Sequence, residues 1–112
     1  MQYLLLINDE EDDRGLMPEY MEYTEALQAS GALAGANQLQ PAHTATTVRV
    51  RNGEILVTDG PFIETKETLG GYYLIEVDTL DEALEWAAKI PSARFGHIEV
   101  RPVVMRRAEV NA

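Results

Sequence analysis

The stretch Thr58-Asp59-Gly60-Pro61-Phe62-Ile63-Glu64-Thr65-Lys66-Glu67-Thr68-Leu69-Gly70-Gly71 decides the reading of this chain. It joins a β-hairpin to the most apolar late strand. Gly60 is conformationally free, Pro61 fixes its own φ, and the residue before a proline is pushed out of the helical region. Asp59 stands where a carboxylate can accept N–H bonds from the turn that follows. Phe62 is an apolar anchor in a polar loop, Glu64, Lys66 and Glu67 crowd opposite charges together, and Gly70-Gly71 admits a close approach by another backbone or a ligand. Asp-Gly-Pro is also ordinary tight-turn chemistry, so turn-building and site-building both fit these residues.

Upstream of the stretch, Thr44 onward turns β-branched, with Thr46, Val48 and Val50 on one face and Thr47, Arg49 and Arg51 on the other. Asn52-Gly53 is a strong hairpin signal, because a type I′ turn needs positive φ at both central positions. Glu54 to Thr58 returns and delivers Asp59. Leu33 to Ala42, rich in alanine and glycine and closed by Pro41, reads as irregular. Tyr3-Leu4-Leu5-Leu6-Ile7 is a short continuous apolar run, the mark of a central strand. The helix from Met17 to Ser30 has Pro18 in its first turn and Met17, Tyr20, Thr24 and Leu27 on a stripe that Met21 broadens, and Ser30-Gly31 stops it.

Downstream, Tyr72 to Val77 forms the next strand. Thr79 and Glu82 make a capping box, and Leu80, Ala83, Leu84, Ala87 and Ala88 form the apolar stripe of a second helix that Pro91 ends. Trp86 lies off that stripe, which suits packing at a helix edge or a subunit contact rather than cofactor binding. His97 to Val104 alternates, and Pro102 puts this strand at or near a sheet edge. The order is β-α-β-β hairpin-β-α-β. Right-handed crossovers place both helices on one face of an antiparallel sheet, giving a ferredoxin-like α+β sandwich with an extra hairpin strand. Its uncovered face carries apolar side chains of the first strand, either Leu4 and Leu6 or Tyr3, Leu5 and Ile7. A second copy is the economical cover, so a homodimer is expected.

Composition bounds the function. The 112 residues fit a single domain over 1–105, with 106–112 as a frayed tail. There is no cysteine, which removes disulfides, thiolate nucleophiles and cysteine metal sites. The net charge of −10 repels phosphate backbones and disfavours direct nucleic-acid binding. No segment approaches the roughly 20 apolar residues of a membrane span, and Met1-Gln2-Tyr3 lacks a basic signal region, so the expected location is cytoplasmic. The run Asp9-Glu10-Glu11-Asp12-Asp13 is either a solvated connection or a metal-binding or partner-docking loop.

The segment Val57 to Phe62, with Glu64-Thr65-Lys66-Glu67 and Leu69-Gly70-Gly71-Tyr72-Tyr73, resembles the signature of the YCII-related proteins in their DGPF subgroup. Leu39-Gln40-Pro41, Thr44 to Arg49, Asp81-Glu82-Ala83 and Glu99-Val100-Arg101-Pro102 resemble further parts of that family, so the likeness spans nearly the whole chain. It implies a dimeric α/β-barrel type of assembly, a cytoplasmic bacterial protein, and for some members an association with alternative sigma factors. It also implies a possible His–Asp pair, for which Asp59 matches by motif. The first helix, Met17 to Ser30, contains no histidine to complete such a pair.

For an enzyme, Asp59 is the candidate general base, His43 or His97 its candidate partner, and Lys66 or Arg101 the anion holder. For a binding module, the Asp59-Gly60-Pro61 turn shapes the rim of a cleft at the dimer interface. Phe62, Tyr72 and Tyr73 are its wall, and Glu64, Lys66 and Glu67 a clamp or a solvated ion-pair set. For a regulatory protein, the acidic surface docks on a basic partner such as a sigma factor. No phosphate loop, nucleophile elbow or dinucleotide fingerprint is present, and no metal or other cofactor is expected.

Overall fold

The computed structural model describes residues 1–10 and 15–105. Glu11, Asp12 and Asp13 of the acidic run, and the tail 106–112, lie outside the described residues. Ten elements follow in order: β1 (Gln2–Asp9), α1 (Met17–Ala29), β2 (Leu33–Gln38), a 3-10 turn at Ala42–Thr44, β3 (Thr46–Arg51), β4 (Glu54–Asp59), β5 (Thr68–Glu76), α2 (Leu80–Ala88), a second 3-10 turn at Pro91–Arg94, and β6 (His97–Pro102). The architecture is α+β, with an antiparallel four-stranded sheet of order β2-β5-β1-β6.

Two expectations need correction. Leu33 to Gln38 is not irregular; it is an edge strand, although Leu-Ala-Gly-Ala-Asn-Gln has no β-branched residue. Pairing with β5 imposes the extended conformation, from Leu33 opposite Ile75 to Gln38 opposite Gly71, a case of sheet context overriding weak propensity. The hairpin, in turn, adds no strand to that sheet. Among the described residues β3 and β4 pair only with each other, in a separate two-stranded ribbon turned by Asn52 (φ 53°) and Gly53 (φ 78°).

Alternation along β1 settles which face is inside. Tyr3, Leu5 and Ile7 are buried, and Leu4 and Leu6 point to the other side. Tyr73 and Ile75 of β5 join the buried set, with Ile98 and Val100 of β6 packed against it. The helices cover this face with Tyr23 and Leu27 from α1 and Ala83 and Ala87 from α2. Tyr23 sets its ring edge-on to Tyr73 at 5.1 Å and to Trp86 at 5.9 Å, and its hydroxyl donates to the Trp86 carbonyl at 2.9 Å. Trp86 thus packs at the edge of α2, as its place off the stripe implies.

The helix ends follow their sequence signals. Pro18 opens α1, and Ser30 closes it with its N–H on the Ala26 carbonyl. The Thr79 hydroxyl accepts from the Glu82 N–H at 3.2 Å and caps α2. The stripes are narrower than the sequence implies, because Met17, Met21, Leu80 and Leu84 remain exposed.

Gly70 and Gly71 fix the sheet's geometry. Ile7 faces Gly71 and Asn8 faces Leu69, so Gly70 is an extra residue in β5 and the register shifts there, as in a β-bulge. A Cβ on Gly71 would lie 2.8 Å from the Asn37 carbonyl oxygen and 3.3 Å from the Gln38 Cα. Gly71→Ala is therefore expected to destabilise by about 1–3 kcal/mol through forced separation of β2 and β5. Chemical denaturation measures the loss, and wild-type stability would refute the close-approach account.

Burial raises the phenol of Tyr20 above its ordinary value of 10.0, despite the opposing hydrogen bond to Ser92, and raises Tyr23 further, with Tyr73 adding to the effect. The folded-state value lies above the unfolded one, so this stabilisation is complete below pH 10 and is lost as pH climbs through the raised values. Tyr20→Phe and Tyr23→Phe should each remove a late phenolate step from the ultraviolet titration. A titration unchanged by both substitutions would contradict the assignment.

Candidate functional site

The organising loop is anchored through backbone groups. Gly60, at φ 93°, donates its N–H to the Ala45 carbonyl at 2.7 Å, and the Thr47 hydroxyl donates to the Gly60 carbonyl at 2.8 Å. These bonds tie the end of β4 to the start of β3 without the Asp59 carboxylate. Asp59 is exposed opposite Thr46, and among the described residues no hydrogen bond or ion pair joins it to His43 or His97.

Two clefts flank the segment Leu39-Gln40-Pro41. The smaller, about 460 Å³, lies under the loop and is lined by Pro61, Ile63, Thr65, Glu67 and Leu69 among others. The larger, about 980 Å³, lies between α1, β5 and β2. Its wall carries Leu16, Met17, Met21 and Leu39. Four hydroxyls in two pairs also line it: Tyr20 with Ser92 at 2.6 Å, and Thr24 with Tyr73 at 2.7 Å. Asp9, Glu10 and Glu25 supply carboxylates and His43 an imidazole. No lysine or arginine lines it among the described residues. Such a cleft accepts an uncharged body with hydrogen-bonding groups and repels anions.

The residues singled out from the sequence divide between these places. His43 borders the larger cleft from the first 3-10 turn, and Tyr72 borders it from β5 while accepting a hydrogen bond from the Asn37 amide at 2.8 Å. Glu67 lines the smaller cleft and meets the His97 Nδ1 at 2.8 Å, so the carboxylate beside His97 is Glu67 and not Asp59. Lys66 pairs with Glu10 at 3.3 Å, and Arg101 lies 3.8 Å from Glu99, so each cation already has an acid beside it. Phe62 is 69% exposed, with the Arg49 guanidinium 5.7 Å above its ring. Phe62, Glu64 and Asp59 line neither cleft.

The hydroxyl pairs leave little signal in the sequence. Tyr20 and Thr24 are one helical turn apart, which marks them as neighbours on one face. Ser92 follows the proline that ends α2, and nothing local announces that it reaches Tyr20. Among the described residues no cluster of His, Asp and Glu could hold a metal ion, and no helix is long and apolar enough to cross a membrane.

Comparison with known proteins places this geometry. An uncharacterized protein of Rhizobium meliloti (strain 1021) is 42% identical over 97 residues, which is 85% of this chain and 78% of that protein. Among solved structures, the chain is similar to 5-chloro-2-hydroxyhydroquinone dehydrochlorinase (TftG) from Burkholderia phenoliruptrix AC1100, in complex with 2,5-dihydroxybenzoquinone. The TM-score is 0.58 at 16% identity, covering 96% of this chain and 98% of that one. That likeness is one of fold. The pattern of the YCII-related domain matches residues 1–107, and with the Rhizobium relative it shows that the chain belongs to the YCII-related family.

Proposed function

We propose that this is a homodimeric protein of the DGPF subgroup that binds a small, uncharged, hydrogen-bonding molecule in the cleft between α1 and the sheet. The carrying observation is the 980 Å³ cleft itself, apolar on its walls and provided with two pairs of neutral hydroxyls. A volume of that size suits a ring compound of moderate size. The three carboxylates, with no lysine or arginine lining the cleft among the described residues, favour neutral ligands over acids and phosphates. The ferredoxin-like order of helices and strands leaves one sheet face for a second copy, in the manner of a dimeric α/β-barrel, and a cytoplasmic location accords with the absence of cysteine. The dehydrochlorinase similar in fold holds a ring ligand, which makes neutral phenolic rings the first probes to try.

A second reading is favoured by one contact. The Glu67–His97 pair, at 2.8 Å beside the smaller cleft, is a carboxylate–imidazole arrangement suited to proton transfer. In that reading Glu67 orients the ring through Nδ1 and leaves Nε2 to act on a substrate.

Saturation-transfer NMR with hydroquinone, and with 4-hydroxybenzoate as the anionic comparator, tests the cleft. Hydroquinone should give the stronger signal. Met21→Trp, which fills the cleft from an exposed helix position, should weaken binding at least about tenfold. Asp59→Asn should leave both binding and stability within about 0.5 kcal/mol of wild type, since its carboxylate is exposed. Binding indifferent to Met21→Trp would remove the larger cleft from the account. Should a ring substrate be turned over, His97→Gln should abolish the reaction and Asp59→Asn should spare it; the opposite order would rule out the Glu67–His97 reading.

A further inference from the structure

The β3–β4 ribbon is amphipathic. Val48 faces Val57 and Val50 faces Ile55 across the ladder, so all four share one side. They are 60%, 62%, 58% and 72% exposed, respectively. The other side carries Thr47 with Thr58, Arg49 with Leu56 and Arg51 with Glu54. Thr46 and Asp59, paired at the base of the ribbon, end this side. An isolated two-stranded hairpin is marginal in water, and one with four apolar side chains in solvent on one side is more so. The ribbon stands clear of the helix-covered body. The chain measures 47 × 43 × 19 Å with a radius of gyration of 16.2 Å, against about 13 Å for a compact chain of this length. The short dimension matches one helix layer on one sheet layer, so the sheet face bearing Leu4, Leu6, Tyr72 and Leu74 is also without a covering layer.

We infer that the ribbon is a clasp whose apolar side packs on a second copy of this chain. Charge favours that occupant. The ribbon carries two arginines and two acids and is neutral, so the net −10 lies entirely on the rest of the chain. The docking side itself carries a single charge, Asp59 at the base of the ribbon, so two strongly acidic copies can touch there with little like charge brought together. Area favours it too. A ribbon side of two six-residue strands offers about 200 Å², and the open face of the four-stranded sheet about 400 Å². A two-fold arrangement in which each copy gives one ribbon side, receives one and shares the sheet face reaches about 800 Å² per partner, the size of a stable interface. Neither surface reaches it alone.

The inference rests on the homodimer proposed above, and the test separates the two. Analytical ultracentrifugation of wild type, Val50→Lys/Ile55→Lys and Leu6→Lys is combined with circular dichroism to confirm folding. The ribbon variant alters only exposed side chains, so it should keep its spectrum and dissociate at least about tenfold more readily. A single Ile55→Cys, carrying an environment-sensitive fluorophore in a chain otherwise free of cysteine, should shift to the blue as concentration rises through the dimerisation range. Dimerisation unaffected by the ribbon variant but weakened by Leu6→Lys, with no shift of the label, would overturn the clasp and keep the dimer. A wild-type monomer at every concentration would overturn both.

Discussion

The close approach of β2 to β5 at Gly71 is the constraint on which the rest of this structure depends. β5 lies between β1 and β2, and the bulge at Gly70 shifts its register against β1 just where the strands leave the helix-covered core. Only a residue without a Cβ lets the Asn37 and Gln38 backbone come so near. Leu69, Gly70 and Gly71 then line the larger cleft, and Leu69 lines the smaller one as well. The same two glycines set the register of β5 and its approach to β2, and they border the larger cleft.

Covering one sheet face and leaving the other bare has consequences in both directions. On the covered side, Tyr23 joins the layers by edge contacts to Tyr73 and Trp86, and α1 carries Tyr20 and Thr24 over the cleft. Both hydroxyls meet hydroxyl partners from other elements, so this part of the wall is hydrogen-bonded within the protein. On the bare side, and along the ribbon, apolar side chains meet solvent. Solubility at a net charge of −10 tolerates this in one copy, but the hydrophobic effect favours covering both surfaces.

Much of the fold was legible because its signals are local. Asn52-Gly53 turned the hairpin, Thr79 capped α2 through the Glu82 N–H, Pro18 opened α1, and Pro102 fell on the edge strand β6. β2 was not legible, since its strand character comes from its partner and its own residues prefer no state strongly. The site was legible in outline only. The sequence marked the loop after Asp59, Gly70-Gly71 and the aromatic pair Tyr72-Tyr73. It could not show that Ala45 and the Thr47 hydroxyl hold the Gly60 turn, that His97 sits beside Glu67, or that Ser92 reaches Tyr20 across 72 positions. Those are matters of tertiary placement, invisible to spacing along the chain.

The most direct test of a dimer that holds a small molecule is native mass spectrometry of protein purified gently from an expression host. The account predicts a dimer carrying additional mass that denaturation releases as a small neutral compound. A clean monomer would contradict it, because the open sheet face and the ribbon would then have to be explained without a second copy.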